Sequence, residues 1–186
     1  MDPRHPDLAD AARSALVVVD VQEKLMGAIH DAPRVEREIV RLVEGAKLLG
    51  VPTLACEQYP AGLGPTTAAV AAALGEARPI EKLVFSAADE SKFMEALRRL
   101  DRDLVVVVGI EAHVCVLQTA LDLLSRGFRV HVAADATGSR SPENRTIALA
   151  RMAAAGVRVT CVESVLFEWL RRAGSDVFRG VSKLVR

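Results

Sequence analysis

The sequence predicts an α/β protein, a three-layer α/β/α sandwich around a six-stranded parallel sheet in the order 3-2-1-4-5-6. Three observations predict it. Short β-branched runs alternate with longer stretches of helical spacing along the chain. The two strongest runs, Ala15-Leu16-Val17-Val18-Val19 and Leu104 to Ile110, show no polar alternation, as strands covered on both faces do. Helical crossovers between parallel strands are right-handed, and that rule winds such a chain into a doubly covered sheet.

The elements follow in order. The first strand, Ala15 to Val19, closes on Asp20. From Arg34 to Leu49 the apolar residues Val35, Ile39, Leu42, Val43, Ala46 and Leu49 fall on one helical face. Gly50 ends that helix and Pro52 prevents its continuation. Thr53 to Cys56 is a second strand, followed by a Gly- and Pro-dense loop from Glu57 to Pro65. A helix is expected from near Pro65 through Leu74, a weaker third strand over Glu81 to Phe85, and a helix capped by Asp89 that carries Phe93, Leu97 and Leu100 on one side. Leu104 to Ile110 is the fourth strand. Leu117, Ala120, Leu121 and Leu124 mark the next helix, which Gly127 ends. Val130 to Ala133 is the fifth strand. Ser141 as N-cap and Pro142 in the first turn open a helix reaching about Ala155. Val157 to Cys161 is the sixth strand, and one or two helices close the chain. No internal repeat or linker interrupts this rhythm, so residues 1–186 read as one domain.

Composition narrows the function classes. With 186 residues and 51% hydrophobic content the chain can bury a core without a covalent staple. Lys plus Arg and Asp plus Glu are 24 each, so there is no basic footprint for nucleic acid, and a neutral surface is compatible with self-association. The apolar runs are far below the roughly 20 residues that span a membrane. Cys56, Cys115 and Cys161 are too few and too scattered for a disulfide framework or a zinc site, which fits a reducing, cytoplasmic home. The polar, Pro-rich start Met1-Asp2-Pro3-Arg4-His5-Pro6 is unlike a signal peptide.

In an open parallel sheet, ligands bind beyond the carboxyl ends of the strands, where strand order reverses. Asp20 ends strand one and Cys115 opens the helix after strand four, so the two flank that switch point. Lys82 on strand three lies within a side chain's length of it. A thiol is a weak nucleophile until it loses its proton. A helix N-terminus and an ammonium both favour thiolate, and a carboxylate can take the proton and later deliver it to a leaving group. Each residue also has a plainer reading. A lone cysteine is more often a small buried hydrophobe, an Asp after an apolar strand is often a cap, and a lysine is mostly a solvated charge. Cys56 and Cys161 read as strand-core residues without a role. His113 is too close along the chain to Cys115 for a dyad and reads as a pocket-wall or capping residue. His5, His30 and His131 show no ligand spacing.

Taken together, these motifs resemble the isochorismatase-like hydrolases. Leu16-Val17-Val18-Val19-Asp20-Val21-Gln22 resembles their opening Asp-x-Gln motif, and Gly109-Ile110-Glu111-Ala112-His113-Val114-Cys115-Val116 their nucleophile loop. Glu57-Gln58-Tyr59-Pro60, Gly62-Leu63-Gly64-Pro65-Thr66, Lys82, Phe85-Ser86, Asp135-Ala136 and Ser139-Arg140 narrow the likeness to the isochorismatase domain-containing proteins and their bacterial relatives. The resemblance covers roughly residues 14 to 170. It implies the six-stranded α/β/α fold and a triad of Asp20 as base, Lys82 as charge stabiliser and Cys115 as nucleophile. It also implies a cis peptide at Ile110–Glu111 and an oxyanion hole from the N–H groups of Glu111 and Cys115. Nicotinamidases of this superfamily carry an Asp-x-His metal motif where this chain reads Cys56-Glu57-Gln58-Tyr59, so neither a catalytic metal nor another cofactor is expected. Members that cleave a vinyl ether generally lack the cysteine, and its presence points to acyl chemistry.

The expected activity is hydrolysis of an amide-type C–N bond of a small molecule through a Cys115 thioester. Gln22, Gln58 and Tyr59 are the candidate pocket residues, and the expected assembly is a homo-oligomer, dimer or tetramer. A binding or scaffold protein that keeps the triad without turnover is the alternative. A dinucleotide site lacks its Gly-x-Gly-x-x-Gly, a Mg²⁺ phosphatase would want a second carboxylate where Gln22 stands, and a serine hydrolase lacks Gly-x-Ser-x-Gly.

Overall fold

The computed structural model describes residues 4–186, so Met1 to Pro3 of the polar N-terminal stretch lie outside it. Six strands form one all-parallel sheet: β1 (Ser14–Val19), β2 (Thr53–Gln58), β3 (Ile80–Lys82), β4 (Leu104–Ile110), β5 (Arg129–Gly138) and β6 (Arg158–Thr160). Their order is β3-β2-β1-β4-β5-β6, as the alternating pattern predicts. Every residue of β1 and β4 is buried, which is why neither run alternates polar with apolar.

Alternate residues of those strands feed two separate cores. Leu16, Val18, Val106, Val108 and Ile110 face one side. There they meet α2 (Ala32–Leu48), α4 (Ala68–Leu74), α8 (Val162–Leu170) and α9 (Asp176–Leu184), with the short α1 (Glu23–Met26) adding Met26. Ala15, Val17, Val19, Val105 and Val107 face the other, under α5 (Ser91–Arg99), α6 (Leu117–Ser125) and α7 (Pro142–Ala154). A second short helix, α3 (Pro60–Leu63), lies in the loop after β2. Burial of both strand faces is the hydrophobic term that holds the three layers together.

Several elements differ in extent from the sequence reading. The third strand stops at Lys82 instead of running to Phe85, because the carbonyls of Val84 and Phe85 turn back to accept from the Lys82 ammonium. The helix expected near Pro65 starts at Ala68. Thr66 is held by Glu57 through its N–H and hydroxyl, both 2.6 Å from one carboxylate oxygen, and it bridges to Gln22. Asp89 is not a cap: it ends a 3₁₀ turn and pairs with Arg126, while the Glu90 carboxylate accepts from Lys92 N–H at the start of α5. The fifth strand continues past a bulge to Gly138, opposite Ile110, and the sixth is a short, mostly exposed edge strand. Cys161, expected within it, is instead the half-buried residue that precedes α8, with its thiol 3.1 Å from Ser164 Oγ. The Ser141 cap holds as expected, its hydroxyl accepting from Asn144 N–H at 3.2 Å.

Gly109 sets how closely β4 passes the end of β1. It stands opposite Val19 with φ +119°, and a Cβ there would lie 2.1 Å from the Val19 carbonyl oxygen. Gly127, at φ +88° after α6, has open space around it. Gly109→Ala is therefore expected to cost on the order of 3 kcal/mol or more, and Gly127→Ala about 1 kcal/mol. Chemical denaturation of the two variants checks this, and equal losses would contradict it.

Candidate active site

Asp20 follows β1 in the left-handed region, at φ 52°, a conformation that Asp tolerates better than most residues. Its N–H donates to the Cys56 carbonyl at 3.1 Å and its carbonyl accepts from Gln22 N–H at 2.8 Å, which fixes the turn. The carboxylate lies at the carboxyl ends of the strands and is fully buried. Lys82 ends β3, two strands away across β2. Its Nζ donates to Asp20 Oδ2 at 2.7 Å, and neither side chain has any exposed surface. The same ammonium lies 2.8 Å from Gln58 Oε1, 3.2 Å from the Phe85 carbonyl and 3.3 Å from the Val84 carbonyl. A buried charge is tolerated when it is paired and its remaining protons are bonded, and this one is.

Cys115 lies on a π-helical turn, Ala112–Val116, between β4 and α6. It is 6% exposed, so little of it is open to solvent. It is near enough to the Asp20 carboxylate to feel its charge, and that carboxylate accepts a hydrogen bond from the Cys56 thiol, Sγ to Oδ1 3.3 Å. The sequence reading expected helix dipole and ammonium to favour thiolate. Burial and then the Asp20 charge outweigh Lys82 and push the Cys115 thiol up to about 12. Burial and the carboxylate thus disfavour a free thiolate in the resting site. Burial also raises Asp20 above the usual carboxylate range, against the opposing pull of Lys82 and the two thiols.

The three groups that the sequence places at separate strand ends thus meet on one carboxylate. The other predicted residues are arranged around them. Gln22 is fully buried, and its carboxamide braces the backbone: it donates to the carbonyls of Gln58 (2.9 Å) and Gly64 (2.7 Å) and accepts from Gln58 N–H (2.8 Å). Gln58 holds Lys82 and donates to the Leu83 carbonyl at 2.9 Å. Both amides are engaged within the protein. Tyr59 is 53% exposed and lines an open depression of about 470 Å³ with Leu83, Val84 and Lys82, but not with Asp20 or Cys115. The Ile110–Glu111 peptide is cis, and Glu111 directly precedes the π turn. The Glu111 carboxylate accepts from the Arg140 N–H (2.9 Å) and guanidinium (3.2 Å). His113 is half-buried, with Nδ1 3.0 Å from Ser139 Oγ. Among the described residues no group of three or more His, Cys, Asp and Glu is placed to hold a metal ion.

Sequence reasoning missed Cys56, which it assigned to the strand core. The signal was available in the predicted sheet order: Cys56 ends the run next to β1, in register with Val19, one residue short of the candidate base.

The isochorismatase domain signature matches residues 14–164. Isochorismatase domain-containing protein 2A of Mus musculus is 39% identical over 174 residues, covering 93% of this chain and 82% of that protein. Among solved structures, the MAR1 ribonuclease from Caenorhabditis elegans superposes with a TM-score of 0.89 at 38% identity, covering 96% of this chain and 92% of that one. The YcaC gene product from Escherichia coli, an octameric hydrolase of unknown specificity, superposes with a TM-score of 0.91 at 25% identity, covering 98% and 91%. With a signature that runs from the first residue of β1 past the end of β6, the chain belongs to the isochorismatase family.

Proposed function

We propose that this chain, taken as one hydrolase domain over residues 1–186, is a cysteine hydrolase that opens an amide-type C–N bond of a small molecule. The observation that carries the reading is the convergence at one rim of the sheet: Asp20 holds Lys82 on one oxygen, and the Cys115 thiol lies within the influence of both charges. In this reading Cys115 keeps its proton until a carbonyl carbon is in place. Sulfur then attacks as Asp20 takes the proton, so no free thiolate has to form. The oxyanion rests on the N–H groups of Glu111 and Cys115. Collapse expels the amine, which receives the proton from Asp20 and leaves a thioester. Asp20 next takes a proton from water, the hydroxyl adds to the thioester, and the acid departs as the thiol is restored. Lys82 holds one oxygen of Asp20 throughout and favours its return to the carboxylate form after each proton transfer.

The 6% exposure of Cys115 supports a small substrate over a polymer. A formal net charge of zero offers no track for a phosphate backbone, so the reading expects no ribonuclease activity despite the name of the nematode relative. A homo-oligomer is supported by the octamer of the bacterial relative and by apolar side chains left in solvent beside the site, with Leu83 75% and Phe85 54% exposed. A cytoplasmic site of action is supported by three unpaired cysteines. Among the described residues no helix is long and apolar enough to cross a membrane.

One observation favours the binding reading. A thiol held near 12 does nothing until a substrate aligns with Asp20, so a protein that binds without turnover would look the same at rest. A screen of small amides and ureides, with an RNA arm, separates the two. Slow amide turnover that falls at least about 100-fold in Cys115→Ala and in Asp20→Asn is expected. Ligand binding with no turnover would favour the alternative, and RNA cleavage lost in Cys115→Ala would overturn the substrate class.

The acid–base assignment predicts two pH effects. A base must be unprotonated to act, and Asp20 is raised, so kcat/KM should fall on acidification at a pH above the ordinary carboxylate range near 4. A profile flat down to pH 4 would exclude Asp20 as base. Asp20→Asn removes the charge that raises Cys115 while leaving Lys82 beside it. This variant should lose turnover, yet its Cys115 should alkylate with iodoacetamide at a lower pH than in the wild type, read by intact mass in a Cys161→Ser background. An unchanged or higher alkylation midpoint would contradict the coupling.

A further inference from the structure

We infer that Cys56 is a positioning residue that clamps Asp20 at two points and sets its basicity, an inference that rests on the reading of Asp20 as base. The clamp joins β1 to β2 where they emerge from the sheet. The Asp20 N–H donates to the Cys56 carbonyl at 3.1 Å, and the Cys56 thiol donates to Asp20 Oδ1 at 3.3 Å. One bond holds the backbone in its left-handed turn at φ 52° and the other holds the carboxylate. Cys56 is 1% exposed, so its S–H is shut off from bulk water.

The two oxygens of Asp20 have different partners. Oδ2 is taken by the Lys82 ammonium at 2.7 Å. Oδ1 carries the Cys56 thiol. With Lys82 from β3 on one oxygen and Cys56 from β2 on the other, rotation of the carboxylate is blocked, and the Cys115 thiol meets a fixed acceptor. Lys82, Cys56 and Cys115 are the titratable groups that face Asp20 from the elements packed on it. Burial and the neighbouring carboxylate hold the Cys56 thiol well above its ordinary range, so it acts only as a donor. A donor to the charged form of a carboxylate lowers its pKa.

Deleting that donor should therefore raise the pKa of Asp20, and restoring one should return it. The test is ¹³C NMR of carboxyl-labelled aspartate in the full-length protein, with Asp20 assigned by the signal lost in Asp20→Asn. Cys56→Ala should move the Asp20 midpoint up by about half a unit to one unit, the usual worth of one hydrogen bond. Cys56→Ser, with a stronger donor at the same position, should bring it back to the wild-type value or below. Where an amide is turned over, the acid limb of kcat/KM should move with the midpoint. An Asp20 midpoint that is the same in wild type, Cys56→Ala and Cys56→Ser would overturn the clamp while leaving the hydrolase reading intact. Absence of turnover in the wild type would instead strike the hydrolase reading, and the midpoints would still decide the clamp. A Cys56→Ala protein that fails to fold leaves the serine variant to decide, by an Asp20 midpoint at or below the wild-type value or one above it.

Discussion

The buried ion pair between Asp20 and Lys82 is the constraint around which this end of the molecule is built. Two charges with no exposed surface are stable only if each is paired and hydrogen-bonded, and removing one partner of such a pair typically costs about 3–5 kcal/mol. The local backbone obeys that requirement. Lys82 has to cross the end of β2 to reach Asp20, and the chain after it curls so that the carbonyls of Val84 and Phe85 accept from the ammonium. That curl ends β3 after three residues. The Gln58 amide supplies another acceptor, and Gln22 fixes the backbone of Gln58 in turn. The loop that follows Lys82 is left with its apolar side chains outward because its carbonyls are committed inward.

The same pair explains how a cysteine can sit in this place without being reactive at rest. Burial resists every charge in the site, and one negative charge is already present on Asp20. A second, on sulfur, would face both desolvation and repulsion, which is why the thiol is held near 12 despite an ammonium close by. Lys82 does not create a thiolate. It opposes the effect of burial on Asp20, and a carboxylate more basic than usual suits proton transfer in both directions. In the proposed reaction the charge separation that the empty site forbids is made only when the carbonyl oxygen can carry it to the backbone N–H groups.

How much of this was legible in the sequence depends on whether the controlling interaction is local. Strand identity, sheet order and the two-core alternation come from runs such as Leu104 to Ile110, whose periodicity is written in consecutive residues. The Ser141 cap is equally local, a hydroxyl reaching an N–H three residues on. Asp20, Lys82 and Cys115 were found because parallel sheets gather chemistry at one rim and because the motifs around them match a known family. The misses turn on contacts that periodicity does not encode. Glu57 holds Thr66 across the loop, Arg126 draws Asp89 out of a capping role, and Val84 and Phe85, though near Lys82 in the chain, curl onto an ammonium that a distant Asp20 holds in place, so these contacts override local propensity. Gln22 and Gln58 looked like ligands because amides near an active site often are. That their donors and acceptors are engaged by backbone and by Lys82 is visible only in three dimensions.

The two thiols on Asp20 show how position, rather than residue type, divides roles. Cys56 and Cys115 are chemically identical, both neighbour the same carboxylate, and both are raised by burial and by that charge. Cys56 belongs to a strand. Its backbone is committed to the β1 and β3 ladders, and its sulfur is closed in under the helical layer that carries Phe93. A substrate carbonyl cannot reach it without parting the sheet. Cys115 stands on a π turn outside the ladder and keeps 6% of its surface exposed, against 1% for Cys56. An attacking atom needs access on one side and a place for the developing negative charge on the other, and only the turn offers both. In the proposed reaction the strand thiol therefore tunes the base, and the turn thiol is the one that uses it.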